Sequence, residues 1–121
     1  MASFSERRET IRIAVSGNLN VESVAAGQSL RLVDVGTGGF CVRSLAALPI
    51  DGVASYRFVT PDKKWSAILR ARTVHSKLLP ADGKAVQHYL TGLKFLNTDS
   101  SAVQREIMLM MDHAMNFVSF S

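Results

Sequence analysis

Residues 34–40 of the chain read Asp-Val-Gly-Thr-Gly-Gly-Phe, a glycine-rich segment that begins with a carboxylate. It stands between two short runs, residues 30–33 and 40–43, in which residues typical of strands place successive side chains on opposite faces. Glycine allows the backbone to turn tightly and to approach a ligand without an intervening side chain. This stretch therefore predicts two neighbouring strands joined by a loop that carries Asp34.

Alternation of apolar and polar residues extends outward from this segment and ends near Leu96. The predicted strands lie at about residues 11–15, 19–24, 30–33, 40–43, 56–59, 65–76 and 86–95, with turn-forming residues between them. About six antiparallel strands with no alternating helices predict a mainly β fold, either a small barrel or a sandwich. Closure into a barrel would protect the strand edges.

The periodicity becomes helical after residue 98 and predicts a C-terminal α-helix over residues 99–118. Ser101 and Gln104 have the spacing of a capping box at its start. An apolar stripe with spacings of three and four would pack on the barrel, and it consists of Val103, Ile107, Met110, Met111, Ala114 and Phe117. Further apolar residues at 108, 109, 118 and 120 widen this face, so a helix that binds a partner or forms a homodimer is a second interpretation.

Length and composition are those of one globular domain over residues 1–121. The chain has 20% charged and 47% hydrophobic residues, and its net charge of +4 favours anionic partners without distinguishing among them. We predict a flexible basic N-terminal arm over residues 1–12, a barrel over 13–96 and a helix over 99–118. The single cysteine excludes an internal disulfide, and no apolar run is long enough to span a bilayer, so we expect a cytoplasmic protein without a membrane span.

No known catalytic or metal-binding pattern appears in the sequence. The three histidines, at positions 75, 88 and 113, lack the short spacings of metal ligands. Residues 36–41 resemble the start of a dinucleotide-binding loop but lack its final glycine, and Gly83-Lys84 lacks the other residues of a P-loop. We therefore expect no enzyme activity, no catalytic residue, no metal and no cofactor.

The segment Glu-Arg-Arg-Glu-Thr-Ile-Arg-Ile at residues 6–13 supplies arginines that complement Asp34. Arg8 and Arg12 carry planar guanidinium groups that can bind phosphate oxygens or a guanine edge with two parallel hydrogen bonds. A carboxylate such as Asp34 can accept hydrogen bonds from the N–H groups of a guanine base. Together with the glycines, this set suits a purine nucleotide that carries two negative charges.

The pair of motifs resembles the PilZ domain family. That family combines an Arg-x-x-x-Arg stretch with Asp/Asn-x-Ser-x-x-Gly some twenty to thirty residues later, and Arg8, Arg12, Asp34 and Gly39 match these positions. Gly36 stands where the family has serine. Residues 90–95, Leu-Thr-Gly-Leu-Lys-Phe, also resemble the last strand of many PilZ barrels.

The resemblance implies a six-stranded antiparallel barrel with a C-terminal helix that binds the bacterial second messenger cyclic di-GMP. Such a receptor would pass the signal to a protein partner that controls motility, adhesion or exopolysaccharide. Arg8 and Arg12 would clamp phosphate and guanine with the help of Arg7, and Asp34 would hold a guanine. The remaining implied ligand-binding residues form the wall of the site, and they are Gly36, Gly38 and Gly39.

Two other functions remain open at the level of the sequence. One is a degenerate domain that binds no nucleotide and acts as a protein interaction adaptor, as the glycine at position 36 and the broad apolar helix suggest. The other, and the less favoured, is nucleic-acid binding through Arg31, Arg57, Arg70 and Arg72.

Overall fold

Seven strand segments and one helix make up the part of the chain that the computed structural model describes, which is residues 12–80 and 87–115. The predicted arm up to residue 11 and the predicted helical residues 116–118 lie outside this part. The elements are β1 (Arg12–Ala14), β2 (Asn20–Ser23), β3 (Gln28–Gly36), β4 (Gly39–Ser44), β5 (Val53–Val59), β6 (Ser66–Leu79), β7 (His88–Phe95) and α1 (Ser101–Met115).

The strands form a closed antiparallel barrel in the spatial order β3-β2-β5-β6-β7-β4, and β4 returns to pair with β3. The short segment β1 pairs with the end of β3 that β2 leaves free, so β1 and β2 together flank one edge of β3. This confirms the mainly β, six-stranded antiparallel barrel with a C-terminal helix. The predicted interruption between residues 15 and 19 is the gap between β1 and β2.

The barrel interior is filled by an aromatic cluster centred on Phe40, which is fully buried. Its ring lies 4.9 Å from that of Phe58, 5.3 Å from that of Phe95 and 5.5 Å from that of Tyr56, measured between centroids. Offset and edge-to-face pairs of this kind stabilise a core beyond the area that they bury. The residue that ends the glycine segment therefore anchors the hairpin to the core.

Helix α1 packs with one face on the barrel, against β1, β3 and β6. Ile107, Met110, Met111 and Ala114 of the predicted apolar stripe are buried in the core cluster. Met108 and Met115 are more than half exposed, and Leu109 is also exposed.

The start of the helix is held by polar contacts that differ from the predicted capping box. The hydroxyl of Ser100, one residue before the predicted cap, accepts a hydrogen bond from the N–H of Val103 at 3.4 Å. The Gln104 side chain donates to the Thr98 carbonyl at 2.7 Å. The capping prediction was wrong by one residue. Ser101 is already the first residue of the helix, so the capping position, from which a hydroxyl accepts from the free N–H groups of the first turn, belongs to Ser100.

Candidate functional site

A cleft of about 780 Å³ lies on the outer surface of the barrel, between the β3–β4 hairpin, β6, β7 and α1. This volume is typical of ligand pockets, which run from roughly 300 to 1,000 Å³. Its residues come from both sequence motifs and from the helix, and they include Arg12, Asp34, Thr37, Gly38, Gly39, Cys41, Val74, His75, Gly92, Lys94, Gln104 and Met108.

Arg12 and Asp34 form an ion pair on the wall of this cleft, although they are 22 positions apart in sequence. Arg12 donates from Nη2 to Oδ1 of Asp34 at 2.6 Å and from Nε to the same oxygen at 2.8 Å. Both side chains keep solvent access, with 36% of the Arg12 side chain and 28% of the Asp34 side chain exposed. Because both bonds end on Oδ1, Arg12 orients the carboxylate without using Oδ2.

A β-bulge in β3 explains why Asp34 faces the cleft. Leu32 pairs with Val42 and Asp34 pairs with Cys41, so Val33 is an extra residue in the strand. In a regular ladder Asp34 would pair with Phe40 and point into the aromatic core. The bulge shifts the alternation by one residue and turns the carboxylate outward.

This position corrects the sequence prediction that Asp34 lies in a loop. Strand β3 runs to Gly36, so Asp34 and Gly36 are both strand residues, and only Thr37 and Gly38 separate β3 from β4. In the sequence, the alternation of side chains breaks at Val33, and this break predicts the end of the strand. In the structure Val33 is the extra residue of the bulge, so strand pairing continues beyond it.

A second bulge, in β6, builds the opposite wall. Thr73 pairs with Leu93 and His75 pairs with Gly92, so Val74 is the extra residue. His75 therefore turns outward, and its imidazole lies so close to Gly92 that a side chain on Gly92 would meet the ring. Asp34, Cys41, Gly92 and His75 thus form one row of register partners across four strands.

The three predicted glycines occupy different environments. Gly38 and Gly39 line the cleft. Gly36 is buried on β3 directly opposite Arg12 and is not among the lining residues. The barrel itself also requires glycine at position 39, because a Cβ atom there would collide with the backbone carbonyl oxygen of Leu93.

The structure brings Arg12, Asp34, Gly38 and Gly39 together, whereas Arg7 and Arg8 lie outside the described residues. Sequence reasoning missed the contribution of His75, Gly92 and Lys94 to the cleft. Gly92 and Lys94 lie in the segment that resembles a PilZ strand, which was the one signal that could have pointed to them. No local pattern marked His75, because the bulge that turns it outward depends on pairing with β7.

Cys41 lies in the cleft between Asp34 and Gly92, and it is the only cysteine of the chain. Burial raises the pKa of its thiol, the Asp34 carboxylate raises it further, and the Arg12 and Arg43 guanidinium groups act in the opposite direction. The thiol is therefore a weak nucleophile near neutral pH, since the thiolate is the reactive form.

Within residues 12–80 and 87–115, no group of three or more histidine, cysteine or carboxylate side chains is arranged to hold a metal ion. Among the helices of the same residues, none is long and apolar enough to span a membrane.

Comparison with solved structures identifies the fold. The PilZ domain of YcgR from Escherichia coli, solved with c-di-GMP, superposes with a TM-score of 0.65 over 89% of this chain and 91% of that domain, at 19% sequence identity. The chain has the fold of a PilZ domain. MrkH of K. pneumonia in its apo state gives a TM-score of 0.66 at 11% identity, over 87% of this chain and 48% of MrkH.

PlzA from Borreliella burgdorferi, solved in complex with c-di-GMP, gives a TM-score of 0.59 at 8% identity, over 95% of this chain and 57% of PlzA. The chain thus spans about half the length of MrkH and PlzA, and it has the length of the isolated PilZ domain of YcgR. No protein-family model matches the sequence, and no curated protein matches it.

Proposed function

We propose that this domain is a cytoplasmic receptor for cyclic di-GMP, which binds in the cleft and passes the signal to a protein partner. The observation that carries the proposal is the Arg12–Asp34 pair on the cleft wall, because it joins the two motif residues that suit a guanine nucleotide. The PilZ fold supports it, since the YcgR domain and PlzA were both solved with c-di-GMP.

The geometry suggests a division of roles between the two side chains. The Arg12 guanidinium can bind a phosphate through donors that do not face Asp34. Oδ2 of Asp34 can accept from the ring N–H or the exocyclic amine of a guanine, while Oδ1 stays bonded to Arg12. The ion pair can therefore persist in the complex and hold both groups in place. Arg7 and Arg8 are proposed to reach the ligand from the N-terminal arm.

Isothermal titration of the purified protein with cyclic di-GMP tests this function, with cyclic di-AMP as the comparison ligand. We expect micromolar or tighter binding of cyclic di-GMP and weaker binding of cyclic di-AMP, because adenine presents an acceptor where guanine presents the ring N–H. Absence of heat with cyclic di-GMP up to millimolar concentration would contradict the receptor function.

Restoring the family serine should tighten binding. In the Gly36→Ser variant the new hydroxyl lies on β3 opposite Arg12, beside the ion pair, and Gly36 does not have the positive φ that would strain a serine. A hydrogen bond to a charged group contributes about 1.5–3 kcal/mol, which corresponds to roughly a ten- to hundredfold lower Kd. Titration of the variant and the wild type checks this, and an unchanged or higher Kd at unaltered melting temperature would rule out this role for position 36.

The single cysteine gives a direct probe of the cleft. We expect iodoacetamide to alkylate Cys41 more slowly than a free thiol at pH 8, because its raised pKa leaves less thiolate, and we expect the rate to rise at more alkaline pH than it does for a free thiol. Saturating cyclic di-GMP should protect the thiol, and the alkylated protein should bind the ligand weakly. Mass spectrometry follows the labelling, with Cys41→Ser as the unlabelled control; equal rates with and without bound ligand would place the ligand elsewhere.

The alternative function, an adaptor that binds no nucleotide, draws on the outer face of α1. Leu109 and Met115 are exposed there, although the opposite face is packed in the core. Such a surface could bind a protein partner or a second copy of the chain. A failed titration together with a dimer in light scattering that Met115→Lys dissociates would favour this function.

A further inference from the structure

We infer that the cleft has a second phosphate subsite at Lys94, across the glycine floor from Arg12. This inference rests on the proposed function and adds Lys94, which lies outside the arginine motif and the Asp34–Gly39 motif. It starts from the register of the strands on the outer surface. Arg12 pairs with Gly36, and Gly39 pairs with Lys94, while the turn at Thr37 and Gly38 joins the two glycines.

The register leaves a strip of glycine backbone between two cationic side chains, Arg12 at one end and Lys94 at the other, and we call this strip the trough. Side chains of paired residues lie on the same face of a sheet, so Arg12 and Lys94 stand on the outer surface with only glycines between them. Three strand spacings separate the two Cα atoms, which is roughly 14 Å. Both residues line the same cleft. A ligand that lies along the trough would therefore meet positive charge at both ends.

The charge on Lys94 is not neutralised by the described part of the protein. Arg72 pairs directly with Lys94 across β6 and β7, and both side chains are exposed. Like charges directly opposite one another destabilise a sheet. Within residues 12–80 and 87–115 the two ion pairs involve Arg12 and Arg57, so neither Lys94 nor Arg72 has a carboxylate partner there. A bound anion would relieve this repulsion.

The arrangement fits a cyclic dinucleotide better than a mononucleotide. A cyclic dinucleotide carries two phosphodiester groups on opposite sides of its ring, each with one negative charge. One phosphate would contact Arg12 and the other Lys94, while Arg72 would raise the local positive potential. The backbone at Gly38 and Gly39 lines the cleft and carries no side chains, so the sugar–phosphate ring could approach it closely.

Titration of Lys94 variants with cyclic di-GMP tests the subsite. Lys94→Met keeps the aliphatic stem and removes the charge, and we expect it to raise the Kd by about tenfold or more. The matched control is Arg70→Ala. It removes an exposed positive charge from β6, two residues before Arg72, and Arg70 does not line the cleft. We expect this control to bind as the wild type does.

Lys94→Glu provides a second readout that a merely structural role would not produce. A glutamate opposite Arg72 replaces a repulsive pair with an attractive one, so the melting temperature should rise while binding is lost. If Lys94→Met binds within twofold of the wild type while Arg12→Ala does not bind, the second subsite is wrong and the receptor function stands. If the wild type binds no cyclic di-GMP, both proposals are overturned.

Discussion

Replacing Arg12 with alanine should lower the affinity for cyclic di-GMP by about a hundredfold while leaving the fold intact. The variant loses the charged donors for phosphate and also releases the Asp34 carboxylate that Arg12 orients. Loss of such charge-assisted hydrogen bonds corresponds to about 3 kcal/mol, or two decades in Kd. The ion pair is partly exposed, so its removal should change the free energy of unfolding by less than about 1 kcal/mol.

Arg57 offers a closely matched control for this experiment. Its Nη1 donates to Oε2 of Glu22 at 2.6 Å, and the exposed fractions of that pair, 40% and 34%, are close to those of Arg12 and Asp34. Arg57→Ala therefore removes an equivalent charge and ion pair away from the cleft. We expect both variants to lose similar stability and only Arg12→Ala to lose binding; equal losses of binding would show that overall charge, and not the site, attracts the ligand.

A conservative change at the same position separates charge from shape. Arg12→Lys keeps the positive charge but replaces the planar fork with a single ammonium group. We expect its Kd to lie between those of the wild type and Arg12→Ala. An affinity equal to that of the wild type would indicate that Arg12 acts only through its charge.

Gly39→Ala should destabilise the barrel by about 3 kcal/mol or more and lower the melting temperature on the order of 10 °C. The added Cβ atom would collide with the Leu93 carbonyl oxygen, which belongs to the backbone and cannot move aside without separating β4 from β7. That pairing helps to close the barrel. Thermal and urea unfolding followed by circular dichroism measure the loss.

Gly92→Ala is the matched comparison, because it adds the same methyl group on the neighbouring strand. Its Cβ atom would meet the imidazole of His75, the end of a flexible side chain, which can rotate away. We expect a loss of about 1 kcal/mol or less in the free energy of unfolding, together with weaker ligand binding because the methyl group narrows the cleft. If both substitutions destabilised the protein equally, the collision with the Leu93 backbone could not be the cause of the stability loss in Gly39→Ala.

Much of the fold could be predicted from local patterns along the chain. Alternation in residues 65–76 identified β6, and the structure follows the same period, with Ala67, Leu69 and Ala71 buried and Ile68 and Arg70 exposed. Helical spacing likewise identified the face of α1 that packs on the barrel. These predictions succeeded because each depends on the period of one element and not on its partners.

The ends of the strands, and the side of the sheet on which each site residue lies, were harder to predict. Asp34 was assigned to a loop although it lies in β3, and β6 extends to Leu79, three residues beyond the predicted end. Both errors follow a bulge, where one extra residue breaks the alternation without ending the strand. The bulge exists only in relation to the partner strand, so a single strand's sequence does not reveal it.

By itself the sequence determined the fold class, the buried face of the helix, and Arg12 and Asp34 as candidate ligand residues, because motif spacing and periodicity are local or family-wide signals. Tertiary structure alone decided that Lys94 and His75 join them in one cleft and that Gly39 is required by the Leu93 backbone. Those relations depend on register between strands far apart in the chain, and register is set by closure of the whole barrel around its core.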